Sequence, residues 1–213
     1  MTLEARTFQV DQGSSLYPQG LSAALGEQAP KGLVAVGELA LLQTNPLALF
    51  CSVRCPGRLI LQTYDLAQAL RAAEVTVISG FHSPMEKECL NLLLRGSQPV
   101  IICPARGIEE MRLPMEWRPS LDRGRLLVLS PFPAGPRRVD ASLAARRNEV
   151  VAALAEEVFI SYAAPGGGMA SLAGRVLAWG KPLLTFEAEE NSTLIEVGAT
   201  PVAQERWWPK GMT

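Results

Sequence analysis

Short apolar runs alternate along most of this chain with longer segments in which apolar residues recur every three or four positions. The runs at 47–53, 75–79, 99–103, 126–130, 157–163 and 182–186 are apolar or β-branched and too short for buried helices, so they predict strands. Between them, 58–73, 85–94, 141–155 and 169–179 carry the helical period. The strands begin roughly 25 to 30 residues apart, the length of a strand plus a crossover helix. Residues 106–125, with Pro114, Pro119 and several charges, predict a loop insertion instead. The alternation defines an α/β chain with a doubly wound, mostly parallel sheet and helices on both faces.

The two ends read differently. In 1–45, Tyr17-Pro18 followed by Leu21, Leu25 and Pro30 predicts a turn and a short helix, and 34–42 an edge strand or lead-in. This is expected to be an annex packed on the main domain, 46–205. After residue 186 an acidic turn at 187–191 precedes a short helix at 193–197 and a last strand at 199–203. The tail, 206–213, carries Trp207 and Trp208, which are expected to pack on the domain or on a dimer mate.

Composition narrows the function. Of 213 residues, 48% are hydrophobic, enough for one domain with a sizeable core. Twenty basic and twenty-one acidic residues leave a formal charge of −1, so a polyanionic partner must be met by a local patch. Four cysteines are too few for a disulfide scaffold. Cys51 and Cys55 have a spacing found in some metal sites, but Cys89 and Cys103 stand alone, so buried thiols and no metal are expected. No leader-like start and no apolar run near the roughly 18 residues of a membrane span are present, and a soluble cytoplasmic protein is expected. The single histidine, His82, removes most Ser-His-Asp, Cys-His and multi-histidine metal chemistry.

In an open parallel sheet ligands bind beyond the carboxyl ends of the strands. The residues there are Ser52, Arg54 and Gly57, then Ser79, Gly80, His82 and Ser83, then Pro104 and Arg106, then Ser130, Gly135, Arg137 and Arg138, then Pro165 with Gly166, Gly167 and Gly168. The glycine turn before a helix suits a phosphate, because backbone N–H groups approach an anion there; a tight turn needing positive φ is the plainer reading. Neither a Walker nor a dinucleotide glycine motif is present, so kinase, NTPase and dehydrogenase readings lack support. Arg137, Arg138, Arg146 and Arg147 form a local cationic surplus, with ion pairs to Asp140 or Glu149 as the alternative. Arg146 and Arg147 lie one turn before Val150 and Val151, sharing the direction of the core-facing stripe but nearer its N-terminal end, so they are expected to be aimed at the rim. His82 and Glu86 have the spacing of an acid/base pair, but Glu86 in a first helical turn is favoured by the dipole alone.

In order and spacing, these segments resemble the Rossmann-like domain of the DNA-processing protein A family (DprA, also called Smf), from about Tyr17 to Val202. Ser52 and Arg54 are similar to a family strand ending in Gly-Ser-Arg. Val75-Thr76-Val77-Ile78-Ser79-Gly80 is similar to its second strand and turn. The resemblance continues through Leu129 to Pro133, then Arg147-Asn148, then Val158 to Gly168. Cys51 stands where the family has glycine, Val53 is an extra residue, and Phe81 to Glu86 replace Leu-Ala-Arg-Gly-Ile-Asp. The resemblance implies binding of single-stranded DNA through Ser52, Arg54, Ser79, Gly80, Arg137, Arg138, Arg147, Asn148, Gly166, Gly167 and Gly168. It also implies a homodimer and delivery of the strand to a RecA-type recombinase, with no catalytic residue and no cofactor. A shortened member is expected, without the winged-helix segment that many members carry.

A second resemblance is to the LOG phosphoribohydrolases, whose P-G-G-x-G-T-x-x-E motif begins like Pro165-Gly166-Gly167. Continuing that register places Ala173 at the glutamate, and no carboxylate occurs between Gly168 and Gly180. Nucleotide binding survives this comparison better than hydrolysis. A scaffold role is the third reading.

Overall fold

The computed structural model describes residues 6–109, 111–132, 140–202 and 204–207. They form one sheet: β1 (Thr7–Asp11), β2 (Gly32–Gly37), β3 (Leu47–Phe50), β4 (Val77–Ser79), β5 (Val100–Ile102), β6 (Leu126–Ser130), β7 (Glu157–Ile160), β8 (Leu183–Phe186) and β9 (Thr200–Val202). Their spatial order is β1-β2-β6-β5-β4-β3-β7-β8-β9. Pairing is parallel from β6 across to β9 and antiparallel at β1–β2 and β2–β6. This is the expected Rossmann-like α/β architecture, extended at one edge by two antiparallel strands.

The helices are α1 (Gln19–Leu25), α2 (Gly57–Ala72), α3 (Pro84–Leu93), α4 (Arg118–Asp122), α5 (Ala141–Leu154), α6 (Gly168–Ala178) and α7 (Ser192–Glu196). Central strands are apolar at successive positions because both faces are covered. On β3, Leu47 and Leu49 join the layer formed with α2 and α3, while Ala48 and Phe50 join the layer of α1, α5 and α6. Helix α2 meets the sheet through Leu59, Thr63, Leu66 and Leu70, a stripe at three- and four-residue steps. Phe159, fully buried on β7, packs edge-on against Phe186 and against Trp207. Trp208 lies outside the described residues.

The runs at 47–53 and 157–163 leave the ladder early, after Phe50 and Ile160. Apolar character persists beyond them because Cys51 and Ala163 remain buried where the chain turns over the sheet. Residues 34–42 divide into the end of β2 and a 3₁₀ turn at Leu39–Gln43, and β2 lies between β1 and β6, not at the edge. Strand β1 carries no continuous apolar run, since only Val10 on it is buried, and the sequence pattern does not announce it. The insertion at 106–125 contains α4, with Pro119 tolerated in its first turn.

Candidate functional site

The strand order reverses between β3 and β7: from β3 the chain steps through β4 and β5 to β6, and from β7 through β8 to β9 the other way. The crevice at such a switch point, beyond the carboxyl ends, is where this class of sheet takes ligands. Two loops meet there. Ser52 donates its backbone N–H to the carbonyl of Tyr162 at 3.0 Å and accepts the N–H of Ala164 on its Oγ, also at 3.0 Å. The hydroxyl thereby pins the start of the glycine turn to the end of β3.

The turn itself is open. Gly166 is exposed with φ 67°, a left-handed conformation that favours glycine, and a Cβ on Gly166 or Gly168 would meet nothing within 4 Å. Gly167, the N-cap residue of α6, supplies no side-chain cap, and its own N–H, expected among the phosphate donors, closes the turn on the carbonyl of Ala164 at 3.0 Å instead. The first N–H groups of the helix and its positive dipole end therefore face the crevice. Arg54 is exposed two residues beyond Ser52 and makes no ion pair among the described residues.

Beside this opening, the ends of β4 and β5 are tied to α5. Arg147, expected from its place in the sequence among the phosphate-facing groups, is only 4% exposed. Its Nη1 donates to the carbonyl of Cys103 at 2.9 Å, its Nε donates to Oδ1 of Asn148 at 2.7 Å, and the guanidinium fills the space beside Gly80. Arg147 shares a helical face with Val150 and Val151, so the packing that buries those valines turns it inward as well. Ser79 is also fully buried, and its Oγ accepts the N–H of Phe81 at 3.2 Å. These groups frame the rim from within. Arg146 pairs with Glu149 at 3.1 Å, and Arg175 meets the same carboxylate at 2.9 Å. Arg137 and Arg138 lie outside the described residues.

Glu86 holds the neighbouring loop. Buried at 5% exposure, it accepts N–H groups from Cys51 at 3.0 Å, His82 at 2.8 Å and Ser83 at 3.3 Å. Ser83 Oγ accepts the N–H of Glu86 in return, a reciprocal capping box at the start of α3. The tie to His82 runs through its backbone, so the two side chains make no acid/base pair, and the exposed imidazole makes no hydrogen bond or ion pair among the described residues. Ser83 and Glu86 three positions apart are the signal from which this clasp could have been read.

Cys51, Cys89 and Cys103 are buried, Cys55 is half-buried, and all four are free thiols. Among the described residues no group of three or more His, Cys, Asp or Glu could hold a metal ion. None of the described helices is long and apolar enough to cross a membrane.

A doubly wound sheet whose switch point carries an uncapped, glycine-lined helix start defines a Rossmann-like α/β protein. A family model described as DNA recombination-mediator protein A matches residues 9–206, and the chain belongs to that family. Among solved structures, DNA processing protein A (DprA) from Streptococcus pneumoniae is similar at TM-score 0.75 and 21% identity, over 94% of this chain and 72% of that one. DNA processing protein A from Helicobacter pylori, described for its single-stranded DNA binding mode, matches at TM-score 0.74 and 20% identity, over 94% and 93%. A molybdenum cofactor binding protein from Rippkaea orientalis follows at TM-score 0.51 and 10% identity, over 76% and 92%. At these identities the likeness is one of fold. No curated protein matches the chain by sequence.

Proposed function

We propose that this rim binds the phosphates of single-stranded DNA without turning over a substrate. In this reading the protein acts as a cytoplasmic homodimer and passes the strand to a RecA-type recombinase. One observation carries it: the open, uncapped glycine turn of α6 stands across the switch point from the loop that bears the exposed Arg54. Membership of a recombination-mediator family supports it, and so does the single-strand binding described for the H. pylori protein. The N–H groups of Gly166 and Gly168 receive phosphate oxygens, that of Gly167 closes the turn on the carbonyl of Ala164, and Arg54, Arg137 and Arg138 supply the charge. Ser52, Ser79, Gly80, Arg147 and Asn148 position these loops.

The test is a salt titration of oligothymidine binding. Neutralising about four phosphates gives a log–log slope near −3, at roughly −0.7 per contact on a single strand. Replacing Arg54, Arg137 and Arg138 together by alanine is expected to lower affinity at least tenfold and make the slope shallower by about 2. An unchanged titration overturns the assignment. A rise in Tm with AMP but none with oligonucleotides replaces it by small-nucleotide binding.

A further inference from the structure

A second group of guanidinium side chains gathers at the opposite end of the sheet, where the strands begin. Arg71 lies in the last turn of α2 ahead of β4, Arg95 follows α3 ahead of β5, and Arg123 and Arg125 stand directly ahead of β6. With Arg206, Trp207 and Glu74 they line an open groove of about 1110 Å³. Among the described residues five arginines thus share it with a single carboxylate, in a chain of formal charge −1.

Local structure accounts for part of this charge. Arg125, 8% exposed, donates Nη2 to the carbonyl of Leu94 at 2.7 Å and Nη1 to that of Gln98, closing the end of α3. Arg206 pairs with Glu157 at 2.6 Å. The carboxyl ends of α2 and α3 together offset about one positive charge, at roughly half a unit each. Arg71, Arg95 and Arg123 remain, with no side-chain hydrogen bond or ion pair among the described residues. The crowding is felt: burial first, and then the charge of Arg123, pull the Arg125 pKa below its ordinary value. An anion in the groove would relieve that repulsion.

We propose that this groove is a second phosphate site for single-stranded nucleic acid, on the far side of the sheet from the rim. The inference rests on the single-strand reading above. The three remaining cations are all arginines, whose planar forks match phosphate oxygens two at a time. Trp207, packed on Phe159, anchors the groove wall, and Arg206 lies 5.1 Å from its ring centre. A strand joining the two sites runs the length of α2, which is 16 residues or about 24 Å. At about 3.4 Å per phosphate in a stacked strand, that takes about seven nucleotides beyond the rim.

The experiment compares oligothymidines of about 6 and about 40 nucleotides, lengths on either side of that span. Tested are the wild type, Arg54→Ala, and the triple variant Arg71→Ala, Arg95→Ala, Arg123→Ala, which leaves Arg125 and Arg206 in place. The triple variant is expected to bind the short strand like wild type, but to lose at least tenfold on the long one, with a salt slope shallower by about 2. Arg54→Ala weakens both. If the triple variant binds the long strand as wild type does while Arg54→Ala does not, the groove assignment falls and the rim reading stands. If wild type binds neither strand, the rim reading falls and takes this one with it. If oligoglutamate binds wild type but not the triple variant, with long-strand affinity unchanged, the groove serves an acidic protein partner and the proposal is overturned. Should the triple variant fail to fold, Arg95→Glu alone, at an exposed position, must lower long-strand affinity at least threefold.

Discussion

The guanidinium of Arg147 occupies the place that a side chain at Gly80 would need: a Cβ there would stand 1.6 Å from Nη1 and 1.9 Å from Cζ. Glycine at the turn after β4 is thus required by an arginine on a helix 67 positions later in the chain. Gly80→Ala is expected to destabilise the protein by about 1–3 kcal/mol, as overpacking does. In an Arg147→Ala background the same change should cost at least about 1 kcal/mol less, since contacting residues couple. Urea denaturation of the four proteins in the cycle measures this, and additive effects would refute it.

Glu86 accepts three backbone N–H groups, and an amide cannot replace both carboxylate oxygens as acceptors. Glu86→Gln is therefore expected to cost about 1.5–3 kcal/mol, the range for hydrogen bonds to a charged group. Ser83→Ala, which removes only the cap, should cost about 1 kcal/mol. Thermal unfolding of both variants ranks them, and equal shifts would show that the clasp to Cys51 adds nothing.

The buried thiols are expected to weaken the fold at alkaline pH. Burial pushes Cys103 up to about 12 from the ordinary 9.0 and raises Cys89 as well, and Cys51 is raised by its hydrogen bond with Cys55 and then by burial. The unfolded chain therefore ionises first. The stabilisation is complete below pH 9 and declines as the pH climbs from there toward the folded values. For Cys103 alone the loss between pH 9 and 10 is about 1 kcal/mol. Lys181 acts in the opposite direction, because burial lowers its pKa from 10.5 and the penalty lifts as the pH nears that value. Urea midpoints should fall over this interval, and fall less in Cys103→Ala.

Cys55 differs from the other three. Its pKa is lowered by the hydrogen bond from Cys51, and it is half-buried where they are buried. Iodoacetamide near neutral pH should alkylate one thiol ahead of the rest, since the thiolate is the reacting species. Mass spectrometry of the intact protein should show that first addition vanish in Cys55→Ser. Equal rates at two or more sites would contradict the arrangement.

The alternation of short apolar runs with helical stripes made the sheet and its main helices legible, because strands covered on both faces must be apolar throughout and their helices must each carry one apolar stripe. The rim was legible for a related reason: a doubly wound sheet places all its strand-to-helix turns at one end, so Ser52, Ser79-Gly80 and the glycines at 166–168 could be grouped from their positions alone. Orientation was less accessible. Arg147 was expected at the rim, facing phosphate, although its register with Val150 and Val151 carries it onto the buried face. Strand β1 left no mark because an antiparallel edge strand needs few apolar side chains.

By itself, then, the sequence determined the α/β class, the polarity of the sheet and the end at which the glycine turn stands, since these follow from periodicity and from the conformational freedom of glycine. Tertiary structure decided which cations point outward, that Glu86 closes a loop through three backbone groups, and that Arg71, Arg95, Arg123 and Arg125 share a groove. Such contacts join residues tens of positions apart. Their formation depends on how helices dock on the sheet, which no local pattern encodes.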